Sequence, residues 1–129
     1  MAITKRVYQF KLEDVIGTNL LGAITDLTTL APADSTIIVD IVSFAQVYSG
    51  SAGLFLEFAD FNRRQIVINS IGGSLTIANN RTIYNPFNTT GSTDIVWTDS
   101  ISGTDLNFDI DSVAIYQSIY LTATVTIQS

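Results

Sequence analysis

Residues Ser112 to Gln128 read Ser-Val-Ala-Ile-Tyr-Gln-Ser-Ile-Tyr-Leu-Thr-Ala-Thr-Val-Thr-Ile-Gln. The odd positions Val113, Ile115, Ile119, Leu121, Ala123, Val125 and Ile127 are apolar, interrupted only by Gln117. The even positions carry Tyr116 and Tyr120, then Thr122, Thr124 and Thr126. Successive strand side chains point to opposite faces, so this is a β-strand with one core face and one uncharged outer face. At about 3.3 Å per residue it runs roughly 50 Å, well past the common strand length. Such a strand must bend, cross between two sheets or project beyond the domain. Gln117 is the natural place for a break.

The rest of the chain reads in the same period. Thr4 to Leu12 puts Tyr8, Phe10 and Leu12 on one face, with Lys5, Gln9 and Lys11 on the other. Thr36 to Phe44 is apolar on both faces, as a central strand should be. The Ser49–Gly53 turn returns it through Leu54 to Phe58, and Asp60 to Arg64 reads as a polar corner before a strand from Arg64 to Asn69. Gly72-Gly73 breaks the chain, and Asn79-Asn80 predicts a two-residue turn between Ser74–Ala78 and Arg81–Tyr84. Asn85 to Ser92 reads as a loop, and short strands flank Ser102-Gly103. Between Glu13 and Asp34, Leu20, Ala23, Ile24, Leu27 and Leu30 fit a helical stripe, but Gly22 and four threonines oppose a stable helix. That region is expected to be irregular, with a short strand or one or two helical turns. Together these predict an all-β fold: one antiparallel β-sandwich domain over residues 1–129, jelly-roll-like, with eight or nine strands and a long C-terminal strand.

Composition narrows the chemistry. With no Cys there is no disulfide, thiolate zinc site or cysteine nucleophile, and with no His the usual general base near neutral pH is missing. The expectation is a protein that is not an enzyme and takes no cofactor. Net charge is −6, and only six residues are basic, three of them (Lys5, Arg6, Lys11) near the start. No basic stripe offers itself to several phosphates, so no nucleic-acid partner is expected. No window approaches the eighteen or so apolar residues of a membrane-spanning helix, and the alternation after Arg6 does not read as a signal peptide. The expectation is synthesis in a host cytoplasm with no membrane association.

Three clusters qualify as candidate sites. Asp105, Asn107, Asp109 and Asp111 set oxygen ligands at alternate positions, as the opening of a calcium loop does. The EF-hand pattern fails, because Ile110 stands where it needs Gly and Tyr116 where it needs Glu. The plainer reading is a strand with a wet face. Phe61, Arg63 and Arg64, with Tyr116 and Tyr120 on the outer row of the last strand, are interface candidates, since aromatics and arginines are enriched at contact cores. Glu57 and Asp60 beside the arginines form a charged turn rather than a glycosidase pair. Tyr84, Phe87 and Trp97, with Asn85 and Asn88, are ligand-binding candidates of the kind that stacks sugars, although each aromatic also fits an ordinary strand or loop position. The sequons at Asn80 and Asn88 have no secretory signal to make them meaningful.

Mean hydropathy is +0.34, and a small sandwich cannot bury all 17 isoleucines, nine valines and ten leucines on its inner faces. Uncharged outer faces on long strands invite packing against copies or partners, so a homo-oligomer or a subunit of a larger assembly is expected. In this light the start Met1-Ala-Ile-Thr4, the strand from Ile37 to Val42 and the end from Ser118 to Ile127 resemble small all-β virion proteins of tailed bacteriophages. The resemblance implies a structural virion component, such as a capsid decoration or cement protein or a head-fibre or tail subunit. Its partners would be copies of itself or other virion proteins. A carbohydrate- or ligand-binding β-sandwich module is the alternative.

Overall fold

The computed structural model describes residues 3–30, 34–49, 55–88 and 95–128. Within these it leaves aside the side chains at 3, 14–16, 29–30, 46–49, 55–60, 83–88, 95 and 112–117. Six strands and one helical turn follow in order: β1 (Ile3–Ile24), α1 (Leu27–Leu30), β2 (Ser35–Ser49), β3 (Phe55–Ile71), β4 (Ser74–Asn88), β5 (Ile95–Ser102) and β6 (Asp105–Gln128). Every strand pairing is antiparallel.

The predicted crossing of the last strand occurs. The C-terminal half of β6, Ser118 to Gln128, lies between β1 (Ile3–Glu13) and β2, and β3 and β4 extend that sheet. The N-terminal half of β6, from Asp105 to Ser112, lies between the second half of β1 (Gly17–Ile24) and β5. Between the halves, the two steps from Val15 to Gly17 face four from Tyr116 to Ser112, so β6 carries two extra residues between Ser112 and Tyr116, just before Gln117, where the sequence suggested the break. An extra residue bends a strand and sharpens its twist. Counted by sheet, the two crossing strands contribute two segments each, giving eight segments in a five-strand and a three-strand sheet: a β-sandwich.

The inner faces are set by alternation. Ile37, Val39, Ile41 and Ala45 on β2, Ile66 and Ile68 on β3, and Ile119, Leu121, Ala123, Val125 and Ile127 on β6 are all buried. Leu21, Ile24, Leu106, Phe108 and Ile110 meet them from the three-strand sheet. Phe10 contacts Phe108 with ring centroids 5.8 Å apart. Tyr8 and Leu12 pack on the same core, as their face predicted.

Several local expectations give way to tertiary pairing. Residues 13–24 form strand rather than irregular chain, because the outer half of β6 offers a pairing edge; only Leu27–Leu30 makes a helical turn, with Leu27 fully buried. Asn79-Asn80 is no turn but the interior of β4, where a register shift absorbs the extra residue. The hairpin bends instead at Gly72 and Gly73, whose φ values of 58° and 82° suit glycine. The corner expected at Asp60–Arg64 is continuous strand, with a bulge opposite Ala45 and Gln46. The turn at Gly103 between β5 and β6 forms as read. Asn85 to Asn88, read as the start of a loop, continue β4 as strand because they pair with β3, while residues 89–92 of that loop and 50–53 of the predicted Ser49–Gly53 turn lie outside the described residues.

Candidate functional site

Because residues opposite one another on neighbouring strands share a face, the register fixes a grid on the outer face of the five-strand sheet. One row runs Lys11, Tyr120, Phe44, Phe61 across β1, β6, β2 and β3, with Phe87 at the next register position on β4. The row above is Gln9, Thr122, Val42, Arg63, and the next is Val7, Thr124, Asp40, Gln65, Arg81. The last is Lys5, Thr126, Ile38, Val67, Asn79. The centre of this face thus carries threonines and apolar side chains, one end carries aromatics, and the cations stand along its flanks.

At the aromatic end, the rings of Phe44 and Tyr120 stack with centroids 4.7 Å apart and planes 27° from parallel. Lys11 Nζ sits 5.2 Å from the Tyr120 ring centroid and 2.7 Å from Glu13 Oε1. The hydrogen bond to Glu13, and then that to Tyr120, raise the Lys11 pKa above its ordinary 10.5. An open groove of about 430 Å³ lies here, lined by Gln9, Phe10, Lys11, Phe44, Tyr120, Leu121 and Thr122. It combines a stacked aromatic pair with an amide, an ammonium and hydroxyls.

The sequence-chosen residues fare unevenly. Tyr120 and Phe61 lie on the aromatic row, and Arg63 is exposed one row away. Arg64, expected beside Arg63 at an interface, points inward: neighbours on a strand face opposite ways, and its column is that of Ile66 and Ile68. Trp97 is half-buried against the core, 5.7 Å from the Arg64 guanidinium, and so stands between the sheets rather than on an open platform. The side chains of Tyr84, Phe87 and Tyr116 lie outside the described residues. Asp105, Asn107, Asp109 and Asp111 stand in file on the outer face of the three-strand sheet. Successive members are about 6.8 Å apart along the strand. Asp105 Oδ1 already accepts a hydrogen bond from Asp26 N–H at 2.9 Å. Among the described residues no three acidic side chains converge to hold a metal, and no helix is long and apolar enough to cross a membrane. Phe44, Gln9 and Thr122 escaped sequence reasoning. Period two places each on an outer face, but only register aligns them.

No protein-family model and no curated protein matches the sequence. Solved structures do resemble the fold. The tailspike protein gp49 of Acinetobacter baumannii bacteriophage Fri1, a capsular polysaccharide depolymerase, aligns with 98% of this chain at a TM-score of 0.53 and 12% identity. The tailspike protein of Acinetobacter baumannii phage AM24 aligns with 97% of it at a TM-score of 0.48 and 12% identity. The chain spans 17% of the length of the first tailspike and 26% of the second. What the likeness defines is a small all-β sandwich with the fold of a tailspike segment.

Proposed function

We propose that this chain is a non-enzymatic carbohydrate-binding β-sandwich module of a phage tail-type protein, holding sugar in the groove over Phe44 and Tyr120. The observation that carries this reading is the stacked Phe44–Tyr120 pair set among Gln9, Lys11 and Thr122. Sugars bury their C–H surface on aromatic rings and bond their hydroxyls to amides, hydroxyls and ammonium groups, and this groove offers both. Its volume is within the ordinary range of small-molecule sites. The fold it shares with a tailspike named as a capsular polysaccharide depolymerase supports the same reading. Glycoside cleavage calls for two carboxylates flanking the bond. Among the described residues the groove lining contains none, and Glu13 at its rim is paired with Lys11, which favours binding over cleavage. A glycan panel tests this. Saturable binding that Phe44→Ala abolishes, with the fold intact by circular dichroism, is expected; undiminished binding by that variant would remove the groove from the function.

A second reading, a virion structural subunit such as a capsid decoration or a head-fibre or tail part, has its own observation. Among the described residues β1 pairs with β6 alone and leaves an unpaired edge along both sheets from Ile3 to Ile24. Such an edge is a template for strands of another chain, a copy or a different virion protein. A monodisperse monomer at tens of micromolar, measured by light scattering, would count against self-association through it.

A further inference from the structure

Among the described residues the charges are unevenly placed. All six cations of the chain are among the described side chains, so their placement is complete. Arg64 is inside, Arg6 is exposed near the start of β1, and Lys5, Lys11, Arg63 and Arg81 stand on the outer face of the five-strand sheet. The described carboxylates on that face are Asp40, which accepts from Gln65 at 3.0 Å, and Glu13, which pairs with Lys11. The opposite outer face carries Asp105, Asp109 and Asp111 with no cation. In a chain of net charge −6, four of the five exposed cations therefore stand on one sheet face, Lys11 lining the groove and Lys5, Arg63 and Arg81 farther out.

We propose that the ligand of this face is an anionic polysaccharide, with carboxylates on its repeating sugars. The inference rests on the sugar-binding reading and specifies the class of sugar. Lys5 and Lys11 are six residues apart on β1, about 20 Å. Arg63 and Arg81 lie three and four strands across from β1, about 14 and 19 Å at the usual strand spacing. Arg63 and Arg81 are diagonal neighbours, about 8 Å apart, so one acid group can reach both, but no small acid reaches from them to Lys5 or Lys11 as well. An extended chain seated on the Phe44–Tyr120 pair and crossing the threonine rows brings successive carboxylates to several. Arg63 and Arg81 offer guanidinium forks that match carboxylate geometry, and cations gathered on one face raise the local concentration of an anionic chain.

The experiment is calorimetric titration of the whole chain at low ionic strength with polygalacturonate, alginate and hyaluronan, and with methyl-esterified polygalacturonate and dextran as uncharged comparisons. At least one carboxylated polymer should bind about tenfold more tightly than the uncharged ones, with affinity falling as salt rises. Arg63→Gln and Arg81→Gln should each weaken it about three- to tenfold, whereas Asp109→Asn on the opposite face should leave it unchanged. Equal binding of charged and uncharged polymers, abolished by Phe44→Ala, overturns the anionic ligand and leaves the sugar-binding reading standing. Binding that the arginine variants weaken but Phe44→Ala does not overturns the placement over the aromatic pair. No binding by any of the five overturns the inference, and if the wider glycan panel is silent too, the reading beneath it falls as well.

Discussion

Arg64 and Asp99 join the two sheets from within. Arg64 Nε donates to Asp99 Oδ2 at 2.6 Å and Nη2 donates to Oδ1 at 2.8 Å, so the guanidinium meets the carboxylate side-on. Nη1 donates to Ser43 Oγ at 2.8 Å and to Asn62 Oδ1 at 3.3 Å, and Asn80 Nδ2 reaches Asp99 Oδ2 at 3.4 Å. Both side chains are almost wholly buried, 5% and 1% exposed. A buried ion pair adds little net stability over an apolar replacement, but it fixes which strand of one sheet faces which strand of the other.

Removing one partner should therefore cost far more than removing both. Asp99→Ala or Arg64→Ala should destabilise the fold by about 3–5 kcal/mol, because an uncompensated charge stays buried. The double substitution Arg64→Met with Asp99→Leu should recover most of that loss. Urea denaturation of the three variants checks it; a double variant no better than the singles would show that the pair itself stabilises the fold.

Gly22 marks a close approach between the two halves of β1. A Cβ there would lie 2.3 Å from Phe10 Cδ1 and 2.5 Å from Cγ, the base of a ring already packed against Phe108. Gly22→Ala should cost about 1–3 kcal/mol through overpacking. Adding Phe10→Leu should return part of it, a coupling that a double-mutant cycle in thermal or chemical denaturation measures.

The β3–β4 turn depends on positive φ at both Gly72 and Gly73. Neither position meets a neighbour within 4 Å, so backbone conformation alone decides the outcome. Gly72→Asn should be nearly neutral, since Asn tolerates the left-handed region. Gly73→Val should destabilise by roughly 1–2 kcal/mol or more, and comparing the two melting curves separates conformational strain from packing.

Lys11 should hold its proton longer than a free lysine. Its pKa is raised by the hydrogen bond to Glu13 and next by that to Tyr120. A base raised in the folded state contributes its stabilisation fully below the unfolded pKa near 10.5 and loses it as pH climbs through the folded value. The groove cation is thus constant across neutral pH and disappears only in strong alkali. Glu13→Gln should move the Lys11 titration downward, read by NMR of the labelled side-chain amine.

Much of this architecture was legible in the chain. The alternation from Ser112 to Gln128 required a strand too long for one sheet, and β6 does serve two. The apolar run from Thr36 to Phe44 required a central strand, and β2 lies between β6 and β3. Pleating is a local property of the backbone, so two-residue periodicity tells which side chains share a face. It separates Arg63 from Arg64 only once residues 60–64 are known to be strand rather than the corner their polarity suggested. What periodicity does not contain is the partner. Whether residues 13–24 pair, whether Asn79-Asn80 turns or continues, which carboxylate answers Arg64, and whether Lys11, Tyr120, Phe44 and Phe61 stand in one row all depend on register between strands distant in sequence. Register follows from the whole core closing at once and from bulges that absorb single residues. Sequence alone therefore determined the sandwich and its inner and outer faces. Only the tertiary structure assembled the groove and the cation-bearing face around it, because each row of that face draws its side chains from strands far apart in the chain.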